Sequence, residues 1–315
     1  MHVAILDDYQ EVALASADFS VLAERAEIIV FTDHVAEQDA LVDRLAGFDV
    51  VIAMRERTAF PAAVLDRLPR LRLLITTGMA NASIDVAAAR QRGITVCGTG
   101  GTRTATSELI WALIMSVARG IPAEDASVRA GGWQLGLGLE LAGSTLGILG
   151  LGRLGQTIAR YARTFEMNVL AWSPNLTADT ARTHGAELVG KAELFERSDL
   201  VTVHMKLSER STGLVGADEL RRLGPRGYLV NTSRGPIVDE AALVAALRQG
   251  AIAGAGLDVF DTEPLPVNHP LRGLPNTVLT PHIGYASTRS YRYFYSDAVD
   301  DIVNWLAGTP VRELA

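Results

Sequence analysis

Short apolar runs alternate along this chain with segments of helical periodicity. In the first hundred residues, the runs that we predict to be buried strands are His2–Leu6, Ile28–Phe31, Val50–Met54, Leu71–Thr76 and Ile94–Val96. Amphipathic segments such as Glu37–Leu45 and Pro61–Leu68 lie between them and are predicted helices, with Pro61 suited to a first helical turn. Regular alternation of strands and helices predicts a parallel, doubly wound sheet.

A polar, glycine-rich break at residues 98–104 separates this series from a second one. The strands predicted there are Leu146–Leu149, Val169–Trp172, Leu200–Val203, Tyr228–Val230, Ile252–Leu257 and Val278–Leu279. Ala241–Leu247 is the clearest helix between them, and the series predicts a second parallel sheet. The tail Ser287–Leu306 is helical in pattern but has no strands of its own, so we expect it to dock on a lobe already formed.

One predicted helix, Ser107–Arg119, carries apolar residues around its whole circumference. Such a helix must be buried on most sides. It is either wedged between two lobes or part of a subunit interface, since Trp and Met are favoured in interfaces.

Three glycines follow the strand Leu146–Leu149 with the spacing G-x-G-x-x-G, namely Gly150, Gly152 and Gly155, and a helix is predicted over Gln156–Phe165. The first glycine permits the tight turn, the second lets a pyrophosphate approach the backbone, and the third lets helix and strand pack closely. The positive end of the helix then holds the phosphates. Strand, glycines and helix together predict a dinucleotide site.

Composition and charge exclude several classes of protein. Apolar residues make up 48% of the chain, yet no unbroken apolar run approaches the roughly 18 residues that span a bilayer. The formal charge of −7 argues against a nucleic-acid partner, and Cys97, the only cysteine, permits neither an internal disulfide nor a cysteine metal cage. The N-terminus has no basic region, and no metal-ligand spacing is present. We expect a cytoplasmic protein without a resident metal.

Four motifs occur in order: the glycine fingerprint, Asn231–Asp239, Gly256–Phe260 followed by Glu263-Pro264, and Thr280–Gly284. Together they resemble the D-isomer-specific 2-hydroxyacid dehydrogenases over nearly the whole chain, and Thr77–Asp85 resembles the substrate loop of that family. The resemblance implies two doubly wound domains. An NAD(P)-binding Rossmann domain, residues 100–285, would be inserted into a flavodoxin-like substrate-binding domain formed by residues 1–99, with the C-terminal helix of residues 286–315 returning to it.

Reduction of a 2-oxo acid needs a carboxylate anchor, polarisation of the ketone and a proton donor. Arg234 fits the first two, since a guanidinium grips a carboxylate in fork geometry. His282 fits the third, because imidazole titrates near neutral pH. The resemblance makes Glu263 its partner carboxylate, which favours the protonated ring and fixes its orientation. Each residue also has an interpretation without a catalytic role. Arg234 could be a surface arginine, His282 a loop histidine hydrogen-bonded within the fold, and Glu263 a solvated glutamate.

The resemblance also implies the binding positions. Those for the cofactor are Thr106, Gly150, Gly152, Arg153, Leu154, Gly155, Ser173, His204, Thr232, Ser233, Arg234, Asp258, His282 and Gly284. Those for the substrate are Thr77, Gly78, Met79, Arg234 and His282. Asp258 could instead cap a turn.

Several positions depart from the family pattern. Ser173 stands where an acidic residue usually selects NAD. Serine does not repel the 2′-phosphate of NADP, but no Arg or Lys follows to bind that phosphate. We therefore expect NAD without excluding NADP. Lys206 stands where a proline usually follows His204, so the cofactor contacts near His204 are not transferred from relatives. Ala80 and Asn81 depart from the usual form of the substrate loop, so the substrate is not transferred either.

Alternatives to the leading hypothesis remain. His269 is the second candidate for the acid. The segment 185–192 nearly spells a Walker A loop, but Ala192 lacks the hydroxyl that would hold Mg²⁺. A nucleotide-sensing scaffold resembling the C-terminal-binding co-repressors, or a dehydrogenase of a related anion such as phosphite, would keep similar motifs. Formate dehydrogenase is disfavoured because that branch has glutamine where Glu263 stands. We expect a homodimer, as in the family.

Overall fold

The computed structural model describes residues 1–102 and 104–314. The strands are β1 (His2–Ile5), β2 (Glu27–Val30), β3 (Val50–Ala53), β4 (Leu73–Thr76), β5 (Thr95–Gly98), β6 (Thr145–Leu149), β7 (Asn168–Trp172), β8 (Glu187–Leu188), β9 (Leu200–Val203), β10 (Tyr228–Asn231), β11 (Gly254–Leu257) and β12 (Thr277–Leu279).

The α-helices are α1 (Ala13–Ser16), α2 (Gln38–Leu45), α3 (Ala62–Leu65), α4 (Val86–Gln91), α5 (Ala105–Arg119), α6 (Ile121–Arg129), α7 (Arg153–Thr164), α8 (Ala178–Thr183), α9 (Lys191–Arg197), α10 (Ala217–Leu223), α11 (Glu240–Arg248) and α12 (Thr288–Leu306). Short 3₁₀ helices cover Phe19–Leu22, Gly235–Ile237 and Pro270–Gly273.

The chain divides into two compact units, one made of Met1–Arg103 with Ala286–Ala315 and the other of Thr104–Tyr285. The first division therefore lies between residues 103 and 104, whereas the sequence placed it between 99 and 100. The α/β class and the two parallel sheets predicted from the sequence are confirmed.

The first unit contains a five-stranded parallel sheet in the order β2-β1-β3-β4-β5. This is the flavodoxin-like order, whose direction reverses at β1. Strands β3 and β4 are buried along their whole length, as expected for a parallel sheet covered on both faces.

Helix α12 packs within this first unit. Ser287 caps its N-terminus by accepting the Ser290 amide hydrogen, and the Tyr291 hydroxyl donates to Gln10 Oε1 at 3.1 Å. Tyr295 is fully buried and lies 6.3 Å from the Phe19 ring. The tail thus docks on a sheet formed by the start of the chain.

The second unit contains a seven-stranded parallel sheet in the order β12-β11-β10-β9-β6-β7-β8. Its central strand β6 pairs with both β7 and β9, so the order reverses there, as in a Rossmann sheet. Ligands bind such sheets outside the carboxyl ends of the strands at the point of reversal.

Some boundaries differ from the sequence prediction. The strand predicted from Ile252 begins at Gly254, where pairing with Tyr228 starts. The helix predicted from Gln156 already begins at Arg153, because its first turn includes Gly155. Pro61 is the N-cap of α3 and precedes its first turn. The two-residue strand β8 was not predicted, since so short a segment has no readable periodicity.

Helix α5 is less enclosed within its unit than its composition predicted. Ile110, Leu113 and Ile114 are buried, but Trp111 is only half-buried, against Phe165, with ring centroids 4.9 Å apart. The remaining apolar side of α5 is only partly covered within this unit.

No helix within residues 1–102 and 104–314 is long and apolar enough to cross a membrane. The same ranges contain no group of three or more His, Cys, Asp or Glu residues arranged to hold a metal ion.

Arg312 helps to fix the C-terminal segment to the first sheet. Arg312 Nη2 lies 2.6 Å from Asp300 Oδ2 and 2.9 Å from Asp301 Oδ1, and the Arg312 carbonyl accepts the Gly98 amide hydrogen at 3.0 Å. Asp301 is fully buried. Burial raises the pKa of Asp301 to about 7 although Arg312 acts in the opposite direction, and the neighbouring Asp297 and Asp300 raise it further.

Replacement of Asp301 by Asn should therefore flatten the pH dependence of stability. A carboxyl whose folded pKa is raised contributes most stability below its unfolded pKa of about 4 and loses that contribution as the pH rises towards 7. Denaturant unfolding at several pH values should show a smaller loss between pH 4 and 7 in Asp301→Asn than in the wild type. Exposed Asp125→Asn is the control, and an unchanged slope in Asp301→Asn would contradict the assignment.

Candidate active site

The glycine loop between β6 and α7 is shaped by close backbone approaches. Gly150 has φ +107°, and its amide donates to the Trp172 carbonyl at 2.8 Å. A Cβ added to Gly155 would come within 2.2 Å of the Gly150 carbonyl oxygen, so helix and turn meet where only glycine fits. Because Gly152 occupies the N-cap without a side chain, the first amides of α7, those of Arg153 and Leu154 among them, are available to an anion.

Gly152 behaves differently from the other two glycines. A Cβ added there would have no atom within 4 Å among the described residues, and its φ of −76° suits any residue. The protein therefore leaves space beside Gly152 that its own fold does not need. Such a cradle fits the pyrophosphate of a dinucleotide.

Ser173, directly after β7, supports the loop from the neighbouring strand. Its hydroxyl oxygen accepts the Leu151 amide hydrogen at 3.0 Å and keeps its own hydrogen to donate elsewhere. Ser173 was predicted from the sequence as a cofactor position, but this contact was not predicted, because it depends on the pairing of β6 with β7.

Two further candidate residues present buried polar atoms. His204 Nδ1 and Thr232 Oγ1 have no hydrogen-bond partner within the described part of the chain, and His204 Nε2 lies 3.1 Å from Thr202 Oγ1. Burial lowers the pKa of His204 to about 3, so its ring is neutral. Orphaned atoms of this kind, at the carboxyl ends of β9 and β10, fit a site shaped for a polar ligand.

Asp258, directly after β11, shapes the turn that carries His282. Its Oδ1 accepts hydrogens from Thr280 Oγ1 at 2.6 Å and the Ile283 amide at 2.9 Å, while Oδ2 accepts the Gly284 amide hydrogen at 2.9 Å. Burial raises the pKa of Asp258 against the effect of these donors. The turn-forming alternative for Asp258 is therefore what the structure contains.

Gly284 also lies close to Thr106, in the first turn of α5. A Cβ on Gly284 would stand 3.3 Å from Thr106 Cγ2 and 3.2 Å from Asp258 Oδ2. The three predicted cofactor positions Thr106, Asp258 and Gly284 are thus brought together, although they are far apart in sequence.

His282 and Glu263 form a direct pair. His282 Nδ1 lies 2.6 Å from Glu263 Oε2, and the two side chains are 23% and 33% exposed. Glu263 Oε1 accepts the Phe260 amide hydrogen at 2.9 Å, which fixes the carboxylate. A carboxylate on Nδ1 stabilises the protonated imidazole and leaves Nε2 for another partner. Accessible, oriented and charge-balanced, this imidazole is suited to proton transfer.

Arg234 stands at the carboxyl end of β10. Asn231 shapes its loop by accepting the Ser233 amide hydrogen at 3.1 Å and donating to the Arg234 carbonyl at 3.0 Å, and Ser233 Oγ donates to the Val203 carbonyl at 2.7 Å. A Cβ on Gly235 would lie 2.1 Å from the Phe260 carbonyl carbon, so this loop packs tightly against the start of the segment that carries Glu263.

The predicted substrate positions Thr77, Gly78 and Met79 lie in the first unit. Gly78 has φ +98°, and its amide donates to Thr99 Oγ1 at 2.9 Å; Met79 is half exposed. Arg55, which the sequence analysis missed, donates from its amide to Thr77 Oγ1 at 2.9 Å and from Nη1 to the Thr77 carbonyl at 3.2 Å. Its position two residues after the end of β3 was the available signal.

Two residues considered from the sequence have structural roles. His269 Nε2 lies 2.9 Å from Glu240 Oε1, while its Nδ1 accepts the Leu271 amide hydrogen at 3.3 Å. Lys191, in the near match to a Walker A loop, lies 2.8 Å from Glu219 and donates to the Leu214 carbonyl. Gly190 is only the N-cap of the short helix α9, which agrees with chance similarity.

The fold and site together define a dinucleotide-dependent oxidoreductase: a Rossmann sheet with a glycine cradle and a carboxylate-supported histidine at its carboxyl edge. Residues 111–284 match the family model described as "D-isomer specific 2-hydroxyacid dehydrogenase, NAD binding domain".

Individual relatives agree with that match. The chain is 37% identical to a glyoxylate reductase of Korarchaeum cryptofilum, covering 86% of this chain and 84% of that one. It is 37% identical to a D-3-phosphoglycerate dehydrogenase of Archaeoglobus fulgidus over 87% of this chain but only 53% of that longer protein. A crystal structure of a phosphoglycerate oxidoreductase from Vibrio cholerae O395 superposes with a TM-score of 0.92 at 35% identity, covering 98% and 99% of the two chains.

The chain therefore belongs to the D-isomer-specific 2-hydroxyacid dehydrogenases, enzymes that use NAD. The resemblance noted in the sequence is confirmed. NAD, which the sequence analysis expected, is the cofactor of the matched domain.

Gly152 and Gly155 should respond differently to the same substitution. Gly152→Val has space in the folded protein but fills the cradle, so we expect a folded protein that no longer binds NADH. Gly155→Val overlaps the Gly150 carbonyl and should also lose about 1–3 kcal/mol or more of stability. Calorimetric titration with NADH and thermal unfolding test both, and unchanged NADH affinity in folded Gly152→Val would exclude this loop as the site.

Proposed function

We propose that the protein interconverts a small D-2-hydroxy acid and the corresponding 2-oxo acid with NAD(H), using His282 as acid and base. The observation that carries the proposal is the 2.6 Å contact between His282 Nδ1 and Glu263 Oε2 in a domain that also contains the glycine cradle. A general acid needs access and a fixed orientation, and both side chains remain partly exposed.

Arg234 is the proposed anchor of the substrate carboxylate. Its guanidinium is permanently charged and can bind a carboxylate and an adjacent ketone oxygen through parallel donors. The Asn231 turn and the close approach of Gly235 to Phe260 fix the backbone that carries it. A fixed backbone lowers the entropy cost of aligning the substrate.

When bound, NADH supplies the hydride that adds to carbon 2 of the 2-oxo acid. His282 Nε2 gives its proton to the ketone oxygen, so one hydride and one proton yield the hydroxyl. Glu263 stabilises the imidazolium before this transfer, and Arg234 holds the negative substrate throughout. In the oxidative direction the neutral imidazole takes the hydroxyl proton.

The cofactor positions in the second unit are proposed to share this work. The amides at the start of α7 would receive the pyrophosphate, and the Ser173 hydroxyl a ribose. His204 Nδ1 and Thr232 Oγ1, which have no hydrogen-bond partner among the described residues, would bind a polar part of the nicotinamide half. Ser173 is neutral, so we expect weak discrimination between NADH and NADPH.

Substrate identity is proposed only at the level of its class. Thr77, Gly78 and Met79 are the proposed substrate loop, and Arg55 adds a cation beside it. Relatives are named for 3-phosphoglycerate and glyoxylate, so the class is a small 2-oxo or 2-hydroxy acid. The cytoplasm stays our predicted location, with which the lone buried thiol of Cys97 is compatible.

A second copy of this chain is the proposed partner. Helix α6 buries none of its residues, and the segment after it exposes large apolar side chains, among them Trp133 at 73% and Leu135 at 64%. Apolar surface of this extent favours association. Together with the half-buried side of α5, it supports the homodimer expected from the sequence.

The catalytic assignment predicts distinct effects for three variants. In assays of 2-oxo acids including glyoxylate, with NADH and NADPH, His282→Ala should keep cofactor affinity and lose turnover about 100-fold or more. Reduction needs imidazolium, so its rate should fall as pH rises, whereas oxidation should fail as pH falls. Glu263→Gln should lower turnover and keep cofactor affinity, because the imidazole loses the carboxylate that orients it, and Arg234→Lys should weaken substrate binding and turnover together. Near-wild-type turnover in His282→Ala would exclude the assignment.

The dimer proposal predicts that charged substitutions in the exposed apolar segment dissociate the dimer. Leu135→Asp with Leu137→Asp should convert a dimer to a monomer in sedimentation at micromolar concentration, since both side chains are exposed in the single chain. Val21→Asp, also on an exposed apolar residue, should leave the dimer intact. A wild-type monomer would overturn the proposal.

A further inference from the structure

Glu263 belongs to a surface loop that has little packing of its own. The residues from Asp261 to Pro264 are all exposed, as are Val267 and Asn268. An exposed loop pays conformational entropy for each ordered residue without much burial in return. Something outside the loop must therefore hold the carboxylate at its short distance from His282.

Glu240, the first residue of α11, contacts both ends of this loop with its two carboxylate oxygens. Oε2 accepts the Asp261 amide hydrogen at 3.3 Å, and Oε1 lies 2.9 Å from His269 Nε2. Asp261 follows Phe260, whose own amide donates to Glu263 Oε1 at 2.9 Å. One side chain thus joins the two ends of the segment that presents the catalytic carboxylate.

His269 has both ring nitrogens engaged. Nδ1 accepts the Leu271 amide hydrogen at 3.3 Å, so the ring hydrogen resides on Nε2 and is donated to Glu240. Leu271 is buried, and Arg272 further binds the Leu265 and Pro266 carbonyls at 2.7 and 2.9 Å. The imidazole is therefore occupied in the fold and is not available to a substrate.

We propose that Glu240 and His269 are positioning residues, which act on catalysis by holding the 261–269 loop so that Glu263 stays oriented towards His282. The proposal rests on the proposed function of His282 and Glu263. It assigns a role to the second histidine–carboxylate pair that excludes His269 as the proton donor.

Hydrogen exchange tests whether Glu240 and His269 hold the 261–269 loop, and it does not rely on activity. In the full-length protein, backbone amides of residues 260–269 should exchange faster in Glu240→Gln and in His269→Gln. A glutamine at 240 offers one acceptor oxygen to two donors, and a glutamine at 269 lacks the ring. Glu193→Gln, an exposed glutamate at 48% paired with Arg197, is the matched control and should not change exchange in this loop. Unchanged exchange in Glu240→Gln and His269→Gln would overturn the proposal.

Kinetics then separate positioning from general destabilisation. Glu240→Gln should lower kcat about 10-fold with KM nearly unchanged, because the oriented carboxylate acts on the chemical step and not on substrate binding. In the Glu263→Gln background, Glu240→Gln should cause no further loss of kcat, because the carboxylate it orients is gone. An equal additional loss of kcat there, or a loss of about 100-fold in His269→Gln with active Glu240→Gln, would overturn the proposal. If the wild type reduces none of the 2-oxo acids, the proposed function fails. The hydrogen-exchange result alone then decides whether Glu240 and His269 hold the loop.

Discussion

The buried carboxylate of Asp258 is the interaction on which the candidate site depends. A carboxylate at 1% exposure must be satisfied by donors, and three of them come from the turn 280–284. This requirement fixes a turn in which His282 has φ +53°, a conformation that L-residues seldom adopt. The strand end therefore determines the position of the imidazole, and Glu263 then determines its orientation.

The same edge of the second sheet carries the other candidate groups. Ser173 follows β7, His204 follows β9, the Asn231–Arg234 segment ends β10 and Asp258 follows β11. Parallel strands bring their carboxyl ends to one side, and the order reverses at β6, beside the glycine loop. At these strand ends, backbone N–H and C=O groups that have no partner in the sheet form hydrogen bonds with short side chains. The site is a consequence of how a parallel sheet ends.

Two histidines paired with carboxylates lie near the same loop, and the second ring nitrogen distinguishes them. In His269 that nitrogen accepts a backbone hydrogen, so the ring is held from both sides. In His282 the carboxylate occupies Nδ1 alone and the ring is partly exposed. One pair is bound into the loop on both ring nitrogens, while the ring of the other stays partly exposed, although both have the same composition. A motif search that counts histidines and acids does not separate them.

Much was determined by the sequence alone: the two series of strands and helices, the parallel sheets and the dinucleotide loop follow from apolar periodicity and glycine spacing, which act over a few residues. Ordered motifs in the sequence also singled out Arg234, Glu263 and His282 as candidates, and the structure brings Glu263 and His282 into contact. Only the tertiary structure decided that Ser173 supports Leu151, that Asp258 builds the turn of His282, and that Glu240 reaches His269, 29 residues away in the chain. These contacts join strand ends and loops that are distant in sequence, and their distances depend on the order and register of the strands, which no local pattern specifies.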